Sequence, residues 1–157
     1  MPIPPSLPQI SVPTVLPFHT FTSPISTRDT RLISHRNALR IAHGALMQPW
    51  LPAHVLPPPA PPSPRLKIGY LSSDFGNHPL AHLMQSVFGL HDRDRFEVFC
   101  YATSASDKSS YRLKIEREAE HFVDLSAASL EQIVGRISSD GCHILVNLCV
   151  LRSRALC

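Results

Sequence analysis

The sequence is short of the features that would place it in several common classes. Its 157 residues include four cysteines, six glycines and a single tryptophan. The cysteines, Cys100, Cys142, Cys149 and Cys157, contain no C-x-x-C pair, which removes the usual zinc-ribbon and thioredoxin-type readings. Cys100, Cys142 and Cys149 lie in or beside apolar runs, the setting of buried free thiols in a reducing compartment. The longest apolar run, Ile144–Leu151, contains Asn147 and falls far short of the roughly 20 residues a membrane span needs. The chain opens Met-Pro-Ile-Pro-Pro, without the basic stretch and apolar core of a secretory leader. Charged residues make up 17% and the net charge is +3, with no Lys/Arg run and no aromatic–basic alternation, which weighs against a nucleic-acid partner. No G-x-G-x-x-G is present, Gly69 and Gly76 standing apart, so an ordinary dinucleotide site is disfavoured. Nor is there a repeat of 20–50 residues. The expectation is a soluble, nucleocytoplasmic chain with one modest domain and no membrane partner.

What is abundant is proline, 16 residues against about 8 at average usage. It is concentrated near the N-terminus and between Pro49 and Pro64. The organisation expected from this is a Pro-rich arm (1–14), a short segment with one helix (15–48), a Pro-rich linker (49–64), an α/β domain (65–148) and a divergent tail (149–157). The linker, PWLPAHVLPPPAPPSP, reads as a semi-rigid polyproline spacer that cannot pair as a sheet. Residues 28–47, with Leu32, Leu39, Ile41, Ala42 and Leu46 among Arg and His, predict a helix ending near Gly44.

Beyond the spacer the pattern changes. Leu66–Ser73 is near-continuously apolar in the manner of a buried parallel strand, and Phe96–Ala102 reads as a second strand. Phe122–Leu125 and His143–Leu148 supply two more. Pro79 stands where a helix would begin, and Leu80, Leu83, Met84, Val87 and Phe88 predict an apolar stripe ending at Gly89. Tyr111–His121 reads as a charged helix. Ser129, with Gln132 as a capping-box partner, opens a last helix that carries Leu130, Ile133, Val134 and Ile137 and stops at Gly141. Four alternations of strand and helix predict a Rossmann-like parallel α/β sheet with right-handed crossovers.

Ligands of such sheets sit beyond the carboxyl ends of the strands. The first strand runs out into Ser72-Ser73-Asp74-Phe75-Gly76-Asn77-His78-Pro79, with His82 one turn on. This puts a carboxylate, an amide and imidazoles at a helix N-terminus, where free N–H groups favour anionic or strongly polar ligands. Asn77 reads equally as a helix cap and Asp74 as a brace of its loop. His78 and His82 share a face at i, i+4, but two histidines without a third ligand make a poor metal site. His82 packed against the sheet is the favoured reading, and no metal is expected.

The stretch RLKIGYLSSDFGNHPLAHLMQSVFGLHDRDRFEVFCYA, with EAEHFVDLS and GCHILVN after it, resembles the opening of the catalytic region of O-linked N-acetylglucosamine transferases. The segments Val15–His19 and Pro24-Ile25, then ISHRNALRIAHG, resemble what precedes that region. The resemblance implies an inverting transferase of the two-lobed GT-B type, of which this is part of the N-terminal lobe. It implies transfer of GlcNAc from UDP-GlcNAc to Ser or Thr hydroxyls of nuclear and cytosolic proteins, with no metal requirement and no cofactor beyond the donor. By the same resemblance His19 lies at the acceptor as a candidate base, and Asp74 relays or receives the proton. Asn77 and His78, with Pro79 and His82 beside them, line the sugar and acceptor end of the cleft. A solvated His19 in a loose arm is the competing reading, and either histidine fits a base physically.

The sequence also departs from the family pattern. Tetratricopeptide repeats are lacking, the linker differs, and after Leu145-Val146-Asn147 a Gly-Tyr-Thr-Lys-Gly-Ala-Arg-like segment gives way to Leu148–Cys157. The expectation is a truncated chain that is silent on its own, lacks the donor-binding lobe and exposes its fourth strand. A non-catalytic interaction protein derived from the enzyme is the alternative, and a small free-standing nucleotide binder is the weakest reading.

Overall fold

Four strands form one sheet in the order β3-β2-β1-β4, every pair parallel. They are β1 (Leu66–Ser72), β2 (Phe96–Ala102), β3 (His121–Asp124) and β4 (Ile144–Asn147). The computed structural model describes residues 14–51 and 65–148, so the expectations for the N-terminal arm, the linker from 52 and the tail lie outside the described residues. The chain divides into two compact units, Met1–Val55 and Leu56–Cys157.

β1 and β2 pair over seven positions, from Leu66 opposite Phe96 to Ser72 opposite Ala102. Both are flanked on each side by another strand, which is why Ile68–Leu71 and Val98–Ala102 are apolar without alternation. After β3 the chain crosses back over the sheet and lays β4 against the other side of β1, with Ile68 opposite Ile144. That reversal creates a topological switch beside the carboxyl end of β1, the position where open α/β sheets leave a crevice. β4 is the edge of the described sheet, and Ile144 and Leu145 are exposed there.

One face of the sheet carries Ile68, Tyr70, Val98, Cys100 and Ala102. It is covered by Phe75, by Ala81 and Phe88, and by Ile115 and Ala119, all buried. Tyr70 and Phe88 meet edge to face at 5.2 Å, as do Phe75 and Phe88 at 5.5 Å, a favoured quadrupole arrangement. The other face holds Phe99 and Tyr101, both buried, with the Tyr101 hydroxyl donating to Asp140 Oδ2 at 2.9 Å. Burial pushes the Tyr101 phenol and the Cys100 thiol well above their ordinary pKa values, so both stay neutral.

Helices α3 (Ser110–Glu118) and α4 (Leu130–Asp140) follow the sequence closely. Ser129 and Gln132 form the expected capping box, and Gly141 ends α4 at a left-handed φ of 68°, a conformation that suits glycine. The expectation differs from the structure in three places. α2 is only Pro79–Met84, followed by a turn and the 3-10 segment Phe88–Leu90, so the predicted stripe is broken and Leu83 is 82% exposed. α3 stops at Glu118 because Ala119 is extended and His121 is already paired to Phe99 in β3. In the first unit α1 (Thr27–Leu46) runs through Gly44, where an added Cβ would meet nothing within 4 Å. No left-handed turn is imposed at Gly44, so it does not act as a stop. Ser26 caps α1 by accepting the Asp29 N–H, and a 3-10 turn, Pro17–Phe21, precedes it.

Among the described residues no helix is long and apolar enough to cross a membrane. Gly69, in the middle of β1, allows close layering: an added Cβ would lie 2.9 Å from Tyr101 Cε2 and 3.1 Å from both Cys142 Sγ and Leu145 Cδ1. Overpacking of this kind costs roughly 1–3 kcal/mol. Gly69→Ala is therefore expected to lower the urea midpoint by a corresponding amount with an unchanged slope. A midpoint within error of wild type would show that the layers have slack.

Candidate functional site

The loop after β1 is held at three levels. Phe75 plugs into the core at 1% exposure. The backbone of Asp74 donates to Ser72 Oγ at 2.9 Å, and the Ser73 hydroxyl donates to Asp74 Oδ1 at 3.1 Å. Gly76 is pressed against the loop after β2, where a Cβ would stand 2.7 Å from Asp107 Oδ2. Between the two loops lies a cleft of about 230 Å³, lined by Ser73, Asp74, Phe75, Gly76, Asn77, His78, Ser104, Ala105 and Asp107. It contains two carboxylates and an imidazole, and no lysine or arginine.

The sequence reading places an anion-favouring helix N-terminus here, and the structure corrects it. α2 has six residues, too few for a substantial macrodipole. Its first residue, Pro79, has no N–H, and the Leu80 N–H is already given to His78 Nδ1 at 3.2 Å. The helix cap is thus His78, and Asn77 does not fill that role. An imidazole nitrogen that accepts a hydrogen bond carries no proton, so neutral His78 holds its hydrogen on Nε2. It can donate there but has no free lone pair with which to take a proton. His78 Nδ1 stands 4.0 Å from Asp74 Oδ2, beyond hydrogen-bond length. The second Asp74 oxygen is therefore not hydrogen-bonded to His78, and the Asp74 side chain, 21% exposed, lines the cleft.

Asn77 and His82 form a separate pair. Asn77 Oδ1 faces His82 Nε2 at 3.0 Å, so this histidine also carries its hydrogen on Nε2. The His82 ring lies on Tyr111 of α3 with centroids 4.0 Å apart. His82 is exposed and stacked on a helix, where the sequence favours packing against the sheet. His78 and His82 thus point to different partners, and no group of three metal-ligating side chains occurs among the described residues. Pro79 is exposed at the first helical position. The structure brings Asp74, Asn77 and His78 to one cleft. His19 lies in the first unit, exposed in the 3-10 turn, its carbonyl accepting from the Ser23 hydroxyl at 2.9 Å.

Two residues that the sequence reading passed over shape the site. Arg112, in the helix read as charged, is completely buried. Its guanidinium donates to the Phe75 carbonyl at 3.3 Å, the Ser104 carbonyl at 3.4 Å, Asp124 Oδ2 at 3.1 Å and Glu116 Oε1 at 2.6 Å. It also lies 4.5 Å from the Phe122 ring centroid. Asp107 accepts the Ser109 N–H at 2.9 Å and the Asn77 N–H at 2.6 Å. Those amides, Ser109 first and then Asn77, hold its carboxyl below the usual range. Hydrogen bonds from Ser126 do the same for Asp124, with Arg112 adding to them. Both carboxyls have lowered folded-state values, so their stabilising contribution is present above the ordinary carboxylate pKa of about 3.9 and is lost as pH falls through the lowered value. The signal that could have found Asp107 is Ser106-Asp107-Lys108-Ser109, an Asx-turn composition. Nothing in the sequence distinguishes Arg112 from a surface arginine.

Comparison with known proteins places the chain in a family. The family model described as Glycosyl transferase family 41 matches residues 4–153. The chain belongs to glycosyl transferase family 41. It is 46% identical over 144 residues to a probable UDP-N-acetylglucosamine–peptide N-acetylglucosaminyltransferase of Arabidopsis thaliana, covering 87% of this chain and 14% of that protein. It is 56% identical over 85 residues to the UDP-N-acetylglucosamine–peptide N-acetylglucosaminyltransferase of Caenorhabditis elegans, covering 54% of this chain and 7% of that one. The fold matches an O-GlcNAc transferase from Thermobaculum terrenum with a TM-score of 0.62 at 23% identity, over 81% of this chain and 23% of that structure. The family 41 chain therefore spans a small part of the length of its curated relatives, and its α/β sheet is that of the GT-B transferase.

His78 both caps α2 and faces the cleft, which affects how it should be substituted. Asparagine is a good N-cap and alanine a poor one, a difference of about 1 kcal/mol. His78→Asn is expected to melt close to wild type, whereas His78→Ala loses about that much in chemical denaturation. Equal stability of the two variants would contradict the capping role.

Proposed function

We propose that this chain carries the acceptor-side half of a protein O-GlcNAc transferase site. The reaction is inverting transfer of GlcNAc from UDP-GlcNAc to Ser or Thr hydroxyls of nuclear and cytoplasmic proteins. The observation that carries this reading is the cleft at the end of β1, where Asp74, Asn77 and His78 converge without any lysine or arginine. Such a surface suits a neutral hydroxyl that must lose a proton, and it gives a departing diphosphate nothing to lean on.

Within the site we assign Asp74 as the group that receives or relays the acceptor proton, since its outer oxygen is not held by His78. His78 is assigned as a hydrogen-bond donor through Nε2, given that Nδ1 is engaged by the Leu80 N–H. Asn77, Pro79 and His82 form the surrounding wall. His19 remains a second candidate base, in the other unit. No metal or cofactor is assigned, the donor being the only small molecule required. Among the described residues no cationic partner for the donor diphosphate lines the cleft, so these 157 residues alone are proposed to be catalytically silent. The alternative, a non-catalytic interaction protein of the same descent, is favoured by the exposure of Leu83 and Leu90, at 82% and 80%.

Calorimetry of the purified chain with UDP, and a transfer assay with UDP-GlcNAc against the cap-preserving His78→Asn variant, test the assignment. Binding no tighter than about 1 mM and no transfer above the variant are expected. Micromolar UDP binding, or transfer that His78→Asn abolishes, would overturn the claim that this half-site lacks the means to hold a donor by itself.

A further inference from the structure

We propose that Asp107 is a positioning residue of the site: its carboxylate clasps the loop after β1 and sets the register in which Asp74, Asn77 and His78 face the cleft. The inference rests on the reading of that loop as the acceptor side. Asp107 is fully outside the predicted motif, thirty residues beyond Asn77 in the chain. Its two oxygens are used differently. Oδ1 accepts the Ser109 N–H at 2.9 Å, which shapes its own loop, and Oδ2 accepts the Asn77 N–H at 2.6 Å, which reaches across. The Asn77 side chain in turn meets His82 Nε2 at 3.0 Å, and the His82 ring rests on Tyr111. One carboxylate thus begins a chain of contacts that ends on α3.

Two further observations show that the surroundings are fitted to this clasp. Gly76 has no positive φ, so its freedom from a side chain is used for approach: a Cβ would stand 2.7 Å from Asp107 Oδ2 and 3.0 Å from its Cγ. Lys108, next to Asp107, is the one non-glycine residue among those described with a positive φ, at 57°. A left-handed lysine is strained, and such strain persists where neighbours over-determine it. Here the Ser109 N–H on Asp107 and the Lys108 N–H on Ser106 Oγ, at 3.3 Å, bracket the turn. The strained turn aims the Asp107 carboxylate at the opposite loop.

Proton and nitrogen NMR of the ligand-free chain tests this, because no sugar chemistry enters the readout. In Asp107→Ala the Asn77 amide should move upfield and exchange at least about tenfold faster. The His82 ring nitrogen signals should move with it, while amides of β1 and β2 keep their protection. Asp107→Asn, which retains one acceptor oxygen, should restore part of the effect. Gly76→Ala should disturb the same signals in the wild-type background and add little to Asp107→Ala, since both remove one contact. Unchanged Asn77 and His82 signals in Asp107→Ala, or effects of the two substitutions that simply add, would overturn the proposal. Failure of the acceptor-site reading would instead show as a wild-type loop with these signals intact and no response to an acceptor peptide carrying Ser or Thr, so the two failures are separable.

Discussion

The buried guanidinium of Arg112 is the constraint on which the geometry of the site depends. A charge taken wholly out of water is tolerated only when it is paired and its donors are satisfied. Arg112 meets that condition by gathering groups from four parts of the domain: the loop after β1 through the Phe75 carbonyl, the loop after β2 through the Ser104 carbonyl, the end of β3 through Asp124 and its own helix through Glu116. The planar fork of donors that arginine offers is suited to this, and a lysine would satisfy only part of the set. Because both cleft-forming loops end on one rigid group, their separation is fixed by the core.

From that frame the chemistry of the cleft follows. Phe75 and Arg112 fix the loop from below, and Asp107 and Gly76 fix it from the side, so Asp74 and His78 are presented on backbone with little freedom. The hydrogen bond from Leu80 decides the His78 tautomer and with it the division of labour proposed for the two groups. A helix cap and a reactive-site orientation are here the same contact. The absence of lysine and arginine from the lining is as informative as the residues present, since it is what supports the proposed preference for a neutral hydroxyl over an anionic phosphate.

The sheet was legible because its signal is collective. Largely apolar runs in Leu66–Ser72 and Phe96–Ala102 and a capping box at Ser129 each state their element on their own. α2 was overestimated because Leu83 is apolar yet exposed, and periodicity cannot tell a buried leucine from an exposed one. The loop Asp74–His78 was readable as a candidate site from its position and its likeness to family 41, and the structure places it along a cleft. Its supports were not readable. Arg112 and Asp107 act across 37 and 30 residues of sequence, and no local pattern marks an arginine as buried or an aspartate as a clasp. Chemistry-bearing residues cluster in a motif, whereas the groups that hold them are brought in by topology.

The most direct test of this account is backbone hydrogen exchange in Arg112→Met, which keeps much of the side-chain volume and removes every donor. If the guanidinium couples the loops, amides of residues 73–78 and 103–109 should lose at least about tenfold in protection under native conditions, with the centre of β1 and β2 losing far less. Uniform loss across the whole sheet would show Arg112 to be a general stability element. Loops that keep their protection would contradict the claim that one buried charge sets the geometry of the site.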